Sequence, residues 1–160
     1  MSLKEIAKRQ ILLCFEALEN LIDKTPNNIW NQKKGGYVFW QQILHAMNGS
    51  LYWLRTEKID FTEPFSDLNV YPELEKDPEN VLSKEQIKEL HKQVIELVNS
   101  FFDKLNSNNL LEASVLNDKI SNLDIVFDQI RHLQYHIGHC ESILREAGIT
   151  DLKWLECYSD

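Results

Sequence analysis

Four stretches of this sequence repeat apolar residues at alternating spacings of three and four, the spacing that lines one face of an α-helix. They cover residues 3–23, 38–55, 84–105 and 124–147. Amphipathic helices of this kind become stable when their apolar stripes face one another around a common core. The sequence therefore predicts an all-α fold, a four-helix bundle, formed by a single domain over residues 1–160.

Local signals mark several helix ends. Ser2 with Glu5, and Ser83 with Gln86, have the spacing of a capping box, in which the two side chains satisfy free backbone N–H groups of the first turn. Gly148 is a natural stop for the fourth helix, because glycine readily adopts the left-handed conformation that ends helices. These signals set the expected limits of the first, third and fourth helices.

The connections between the helices differ in length. Pro26 marks a turn after the first helix, and the pair Gly35-Gly36 is predicted to open the second. Residues 56–82 contain three prolines and no helical period, which predicts a long crossover packed on the bundle between helices two and three. Residues 110–120 suggest a short strand-like or 3₁₀ connection. The tail is apolar enough to dock on the bundle through Leu152, Trp154, Leu155 and Tyr158.

Charge and cysteine content exclude several classes of protein. The net charge of −8 and the lack of clustered Lys and Arg argue against nucleic acid or an acidic membrane surface as a partner. No apolar run is long enough to span a bilayer, and the charged start does not resemble a secretory signal, so we expect a cytoplasmic protein. The three cysteines are widely spaced and suggest neither a disulfide framework nor a zinc ribbon.

The most informative polar residues are three histidines within the fourth helix. His132 and His136 are four residues apart, so both imidazoles project from one helix face, and His139 follows on nearly the same face. Neutral imidazole nitrogens are good ligands for divalent transition ions, and a helical H-x-x-x-H supplies two of them without strain. Two ligands do not make a site, and His45 on the second helix is the histidine with a route to this pair.

Ordinary structural roles compete with each functional interpretation. Histidines at the margin of a core stripe usually pack or form hydrogen bonds, and His91 is predicted to be exposed. Asp128 either orients His132 or is a solvated carboxylate, and His139 is either a base in the pocket or a residue at its rim. Cys140 falls on the core stripe, which favours a packed small side chain over a nucleophile.

Two segments resemble the DinB/YfiT-like superfamily. The fourth helix, His132-x-x-x-His136-Ile137-Gly138-His139-Cys140-x-x-Ile143-Leu144-Arg145-Glu146-Ala147-Gly148, is similar to that family's C-terminal helix, H-x-x-x-H-x-G-Q followed by a Leu-Arg pair and a Gly. Here His139 stands where the family usually has Gln. The segment Trp40-Gln41-Gln42-Ile43-Leu44-His45, continuing to Trp53-Leu54, resembles the family's second helix.

The resemblance implies an up-down-down-up four-helix bundle in which His45, His132 and His136 bind one divalent metal ion. Family members of known chemistry are metal-dependent transferases or isomerases, often with a thiol cofactor, and a homodimer is the family's usual state. The partners implied here are therefore a small-molecule substrate or thiol cofactor and a second copy of the chain.

Three histidines without a carboxylate leave coordination positions open for water or substrate, which is the pattern of catalytic sites. This favours a metal-dependent hydrolase or a thiol-dependent transferase, with zinc as the first candidate and nickel or iron as alternatives. The pattern assigns no catalytic or cofactor-binding side chain. A non-catalytic bundle, either dimerising around a structural ion or binding a small ligand, is the alternative.

Other chemistries lack their motifs. No Glu precedes a histidine by three residues, which a carboxylate-bridged di-iron bundle needs. The nucleophile elbow G-x-S-x-G and a Gly-rich phosphate loop are also absent.

Overall fold

The computed structural model describes residues 1–106 and 109–156, and within them the chain is mostly helical, as predicted. The long helices of this part of the chain are α1 (Leu3–Lys24), α3 (Phe39–Trp53), α4 (Lys84–Lys104) and α5 (Asn122–Glu146). Between α1 and α3 lie a single-turn helix, α2 (Asn27–Trp30), and a hairpin of β1 (Lys33–Lys34) and β2 (Tyr37–Val38). Two 3₁₀ turns, Ser66–Leu68 and Asn109–Leu111, fall in the later connections.

Capping boxes begin three of the long helices. Those of α1, with Ser2 and Glu5, and of α4, with Ser83 and Gln86, confirm the sequence prediction. A third, unpredicted box begins α5: the Ser121 hydroxyl accepts from the Asp124 N–H, and the Asp124 carboxylate accepts from the Ser121 N–H at 2.9 Å. Helix α5 therefore begins at Asn122, two residues before the predicted start.

The prediction that Gly35-Gly36 opens the second helix is wrong. Both glycines have positive φ angles, +64° and +99°, and form the turn between β1 and β2. Two consecutive positive φ angles are typical of tight hairpin turns, because glycine adopts them without steric cost. Helix α3 begins only at Phe39, and the hairpin lies directly before it.

The long helices pack in a closed arrangement around one apolar core. Helix α1 contacts α4 and α5, and α3 contacts the same two helices. The core takes side chains from each of them, and Phe15, Trp40, Phe101 and Leu144 are among those fully shielded from solvent. This packing brings α3 against α5, the two helices that carry the candidate metal ligands.

His91 is not exposed, contrary to the sequence prediction. Only 6% of its surface is accessible, and its Nε2 lies 2.8 Å from the backbone carbonyl oxygen of Phe15 on α1. The Phe15 ring also packs edge-on against the imidazole. The buried face of α4 is thus wider than the spacing of its apolar residues indicated. A histidine at the margin of that face can be buried because its nitrogen has a hydrogen-bond partner.

The crossover between α3 and α4 is irregular, as expected, and is anchored on the helices. Val70 and Leu82 are buried, and the Trp30 indole N–H donates to the Leu82 carbonyl at 2.7 Å. The later connection contains the 3₁₀ turn and an isolated antiparallel bridge between Ala113 and Ser121. No helix in the described ranges is long and apolar enough to cross a membrane.

The tail docks in part. Leu152 packs against the core and Asp151 pairs with Lys24, whereas Trp154 is 79% exposed. The predicted contact through Tyr158 lies outside the described residues, as does Cys157.

Replacing Ser121 by Ala removes the cap of α5, and we expect the free energy of unfolding to fall by about 1 kcal/mol, because one N–H of the first turn loses its acceptor. Urea unfolding monitored by circular dichroism measures this loss. Ser121→Asn keeps a capping oxygen and should retain most of the stability. Equal losses in both variants would contradict the assigned role of the cap.

Candidate metal centre

Helices α3 and α5 bring His45, His132 and His136 to one place. Each imidazole offers a nitrogen, and these nitrogens all lie within 4.8 Å of one another. The ring centroids form a nearly equilateral triangle, with separations of 4.9 Å for His45–His132, 4.8 Å for His45–His136 and 4.9 Å for His132–His136. The three residues are close enough to bind a metal ion, and they come from the two helices that carry the predicted ligands.

The three nitrogens can lie further apart than the ligand nitrogens of a bound metal ion. Metal–nitrogen bonds of about 2.0–2.1 Å at tetrahedral angles place ligand nitrogens roughly 3.3 Å apart. Two neighbouring nitrogens at the 4.8 Å limit would have to approach by roughly 1.5 Å on binding.

A backbone carbonyl orients His45. The Nδ1 atom of His45 lies 2.9 Å from the carbonyl oxygen of Pro72 in the crossover. Because a carbonyl can only accept, Nδ1 carries the proton and Nε2 is left with a free lone pair. The crossover therefore sets the tautomer in which Nε2 can act as a ligand.

A glycine on the facing helix makes room for His132. Gly49 lies one turn after His45 on α3, and a Cβ atom added there would be 2.8 Å from Cε1 and 2.9 Å from Nδ1 of His132. Real Cβ contacts are essentially never this short. A side chain at position 49 would thus push the His132 ring away from its present place between the helices.

His136 is the most enclosed of the three. It is 3% exposed, and its Nδ1 is buried without a hydrogen-bond partner among the described residues. A buried polar atom without a partner costs free energy, and a metal ion is one group that could satisfy it. The donor set, three imidazoles that are easily kept neutral, also fits a divalent transition ion.

Burial disfavours the charged forms of His132 and His136. It lowers the pKa of His136 to about 3, and the nearby His45, His132 and His139 act in the same direction by repulsion. Burial, followed by the repulsion of His45, also lowers the pKa of His132, while Asp128 opposes that shift. Neutral imidazole is the form that binds metals, so the site is ready to bind at neutral pH.

The other polar candidates lie beside the cluster. His139 is half-buried, with its ring edge-on to Tyr37 and its Nε2 only 2.1 Å from where a Cβ of Gly35 would be. It lies outside the three-histidine group and acts on it through its charge. Asp128 is exposed and forms an ion pair with Arg131 at 2.7 Å. Of the two interpretations of Asp128, this favours the solvated carboxylate.

The remaining candidates are structural or exposed. Cys140 is completely buried, and burial raises the pKa of its thiol to about 12, which confirms a packed side chain rather than a nucleophile. Tyr135 is 66% exposed and stacks edge-on with His136, and Tyr52 is 40% exposed, so neither belongs to the core.

Sequence reasoning missed Gly49 and Pro72. A glycine inside a helix costs about 1 kcal/mol relative to alanine and therefore usually has a packing or functional reason. Its position four residues after His45 was the available signal. No comparable signal marked Pro72, because its carbonyl reaches His45 only through the path of the crossover.

Comparisons with known proteins identify no relative: no family model, no curated protein and no solved structure matches this chain.

The metal-free protein should lose stability as the pH falls below about 6.5. The unfolded chain then takes up protons at positions 132 and 136, whereas the folded imidazoles with their lowered pKa values stay neutral until the pH approaches 3 for His136. Urea midpoints of chelator-treated protein at pH 7.5 and pH 5 measure the loss. His136→Gln should reduce this pH dependence, because the folded state of that variant no longer excludes a proton at position 136. An unchanged pH dependence in His136→Gln would disprove the assignment.

Gly49→Ala should weaken metal binding by about tenfold or more while the protein stays folded, because the new methyl group displaces the His132 ring and alanine favours the helix. Competition with a chromophoric chelator gives the dissociation constant. Gly138→Ala on α5 is the matched control, since a Cβ there meets nothing within 4 Å. Unchanged affinity in Gly49→Ala would show that the close approach of His132 to α3 is unimportant.

Proposed function

We propose that this protein binds a divalent metal ion through His45, His132 and His136 and uses it as a metal-dependent hydrolase or thiol-dependent transferase. The observation that carries the proposal is the convergence of three imidazoles, with nitrogens within 4.8 Å, from two helices that are far apart in sequence. A set of three histidines leaves at least one coordination position for water or substrate, which distinguishes catalytic from closed structural sites.

The residues around the cluster have separable roles in this proposal. His45 presents Nε2 because Pro72 holds its Nδ1 proton, and His136 is the most buried of the three. His132 and His45 are only half-buried, so a ligand can reach the cluster past them. A bound ion would lower the pKa of a coordinated water to about 7, polarise a carbonyl or stabilise a thiolate.

Zinc is our first candidate for the ion. Imidazole nitrogens bind zinc, nickel and iron well, so three histidines favour one of these ions. Which of the three ions is bound depends on its availability to the protein. The substrate we propose is a small molecule, with or without a thiol cofactor.

We further propose the up-down-down-up bundle of the DinB/YfiT-like superfamily, as a single domain. Support comes from contacts near the helix ends: the Lys4 ammonium donates to the Leu105 carbonyl at 2.6 Å, and the Lys84 ammonium donates to the Thr25 carbonyl, which fits α1 antiparallel to α4. The Ser50 hydroxyl donates to Gln129 at 3.3 Å, and the rings of His45 and His132 are in contact. Ser50 follows His45 along α3, whereas Gln129 precedes His132 along α5, which fits α3 antiparallel to α5.

The alternative is a non-catalytic protein in which the ion only stabilises the fold. The cluster connects α3 to α5, so an ion there would cross-link two helices and stabilise the folded state by mass action. Partly exposed Phe127 and Tyr135 on α5 are compatible with a homodimer contact or a bound small ligand in this version.

Metal analysis tests the proposal most directly. Protein purified without chelator should contain close to one equivalent of metal, and His136→Ala should lose most of it, because the buried ligand is removed. His139→Ala is the matched control, since this half-buried histidine of the same helix lies outside the cluster, and it should retain the metal. Elemental analysis by mass spectrometry measures both. Substoichiometric metal in the wild type, unchanged in His136→Ala, would rule out the site.

A second measurement separates the catalytic from the structural version. Wild-type protein is melted with and without chelator and screened with thiol cofactors and small electrophiles. Metal-dependent turnover supports the enzyme. A large chelator-induced loss of stability without any reaction supports the structural ion instead.

A further inference from the structure

The crossover passes over His45 as a short irregular strap, residues 71–76. The strap belongs to no helix or strand, so its inward-facing backbone groups need partners from elsewhere. Its carbonyls at Tyr71, Glu73 and Lys76 all point to one atom, the side-chain Nε2 of Gln41, at 3.0, 3.0 and 2.7 Å. A fourth carbonyl of the strap, that of Pro72, also contacts α3: it accepts from His45 Nδ1 at 2.9 Å.

Gln41 is well placed to hold this arrangement. It lies about one helical turn before His45 on α3 and is fully buried. Its amide has two N–H donors for three carbonyl acceptors, so at least one bond is shared. Its Oε1 is buried without a partner among the described residues, at a cost that an apolar side chain would avoid. The donor function of the amide therefore outweighs that cost.

We propose that Gln41 is a positioning residue for the metal centre: it fixes the strap, and the strap fixes the tautomer and direction of His45. The inference rests on the proposed metal binding. Without the Gln41 amide, the Tyr71 and Lys76 carbonyls lose their donor from α3, and the Glu73 carbonyl keeps only its bond from the Lys76 N–H. The Pro72 carbonyl then loses the neighbours that keep it over His45. By linkage, an ion bound to His45 also stabilises the strap, because the same hydrogen bonds serve both.

The neighbouring residue provides a matched control. Gln42 is also fully buried on α3, and both polar atoms of its amide lack a partner among the described residues. Gln41→Leu and Gln42→Leu thus remove the same group from adjacent buried positions, and only the first removes hydrogen bonds to the strap. A general effect of changing a buried amide would appear in both variants.

Two measurements test the proposal. The zinc dissociation constant, by chelator competition, should rise about 10- to 100-fold in Gln41→Leu and remain within about twofold of wild type in Gln42→Leu, as is typical when the hydrogen-bonded support of a histidine ligand is lost. In metal-free protein at pH 8, long-range ¹H–¹⁵N spectra of His45 should show a single tautomer with the proton on Nδ1 in wild type and Gln42→Leu. Gln41→Leu should show a mixture of tautomers.

The outcomes are decisive in each direction. An unchanged His45 tautomer in Gln41→Leu, or equal effects in both variants, overturns the proposal. A wild-type protein that binds no zinc overturns the proposed function, and the tautomer measurement then still decides whether Gln41 controls His45. Faster backbone hydrogen exchange in the strap of Gln41→Leu alone, slowed in wild type by added zinc, supports the linkage between the strap and the site.

Discussion

The contact between α3 and α5 is the constraint on which the site depends. It brings three imidazoles together, and burial with mutual repulsion lowers the pKa values of His132 and His136. Packing the helices this closely requires the missing side chain at Gly49. Burial and close approach therefore disfavour the protonated forms of His132 and His136, and neutral imidazole is the form that binds metals.

The irregular crossover has a defined structural role. It would be a poor scaffold alone, because its carbonyls have no ladder partners, and Gln41, His45 and Trp30 supply donors for them. The side of the site near His45 is thus built from irregular backbone that is anchored to the helices. Such a segment couples the orientation of His45, a candidate ligand, to the packing of the helices that anchor it.

Periodicity and capping signals were sufficient for the helical class and for most helix limits, since these depend on residues close in sequence. The errors arose where tertiary packing decides. Gly35-Gly36 forms a hairpin turn rather than a helix start, and His91 is buried because the Phe15 carbonyl on another helix offers it a partner. At the site, spacing identified His132 and His136 and indicated His45 as a third candidate, which the resemblance supported, whereas Gly49, Gln41 and Pro72 were missed.

The sequence alone determined that two histidines share one face of a long amphipathic helix, because a separation of four residues fixes that relation wherever the helix lies. Only the tertiary structure decided that His45 meets them, that His139 remains outside the group and that a backbone carbonyl selects the tautomer of His45. The contacts of His45 join residues more than 25 positions apart, and the geometry of the group depends on how the helices pack and where the crossover runs.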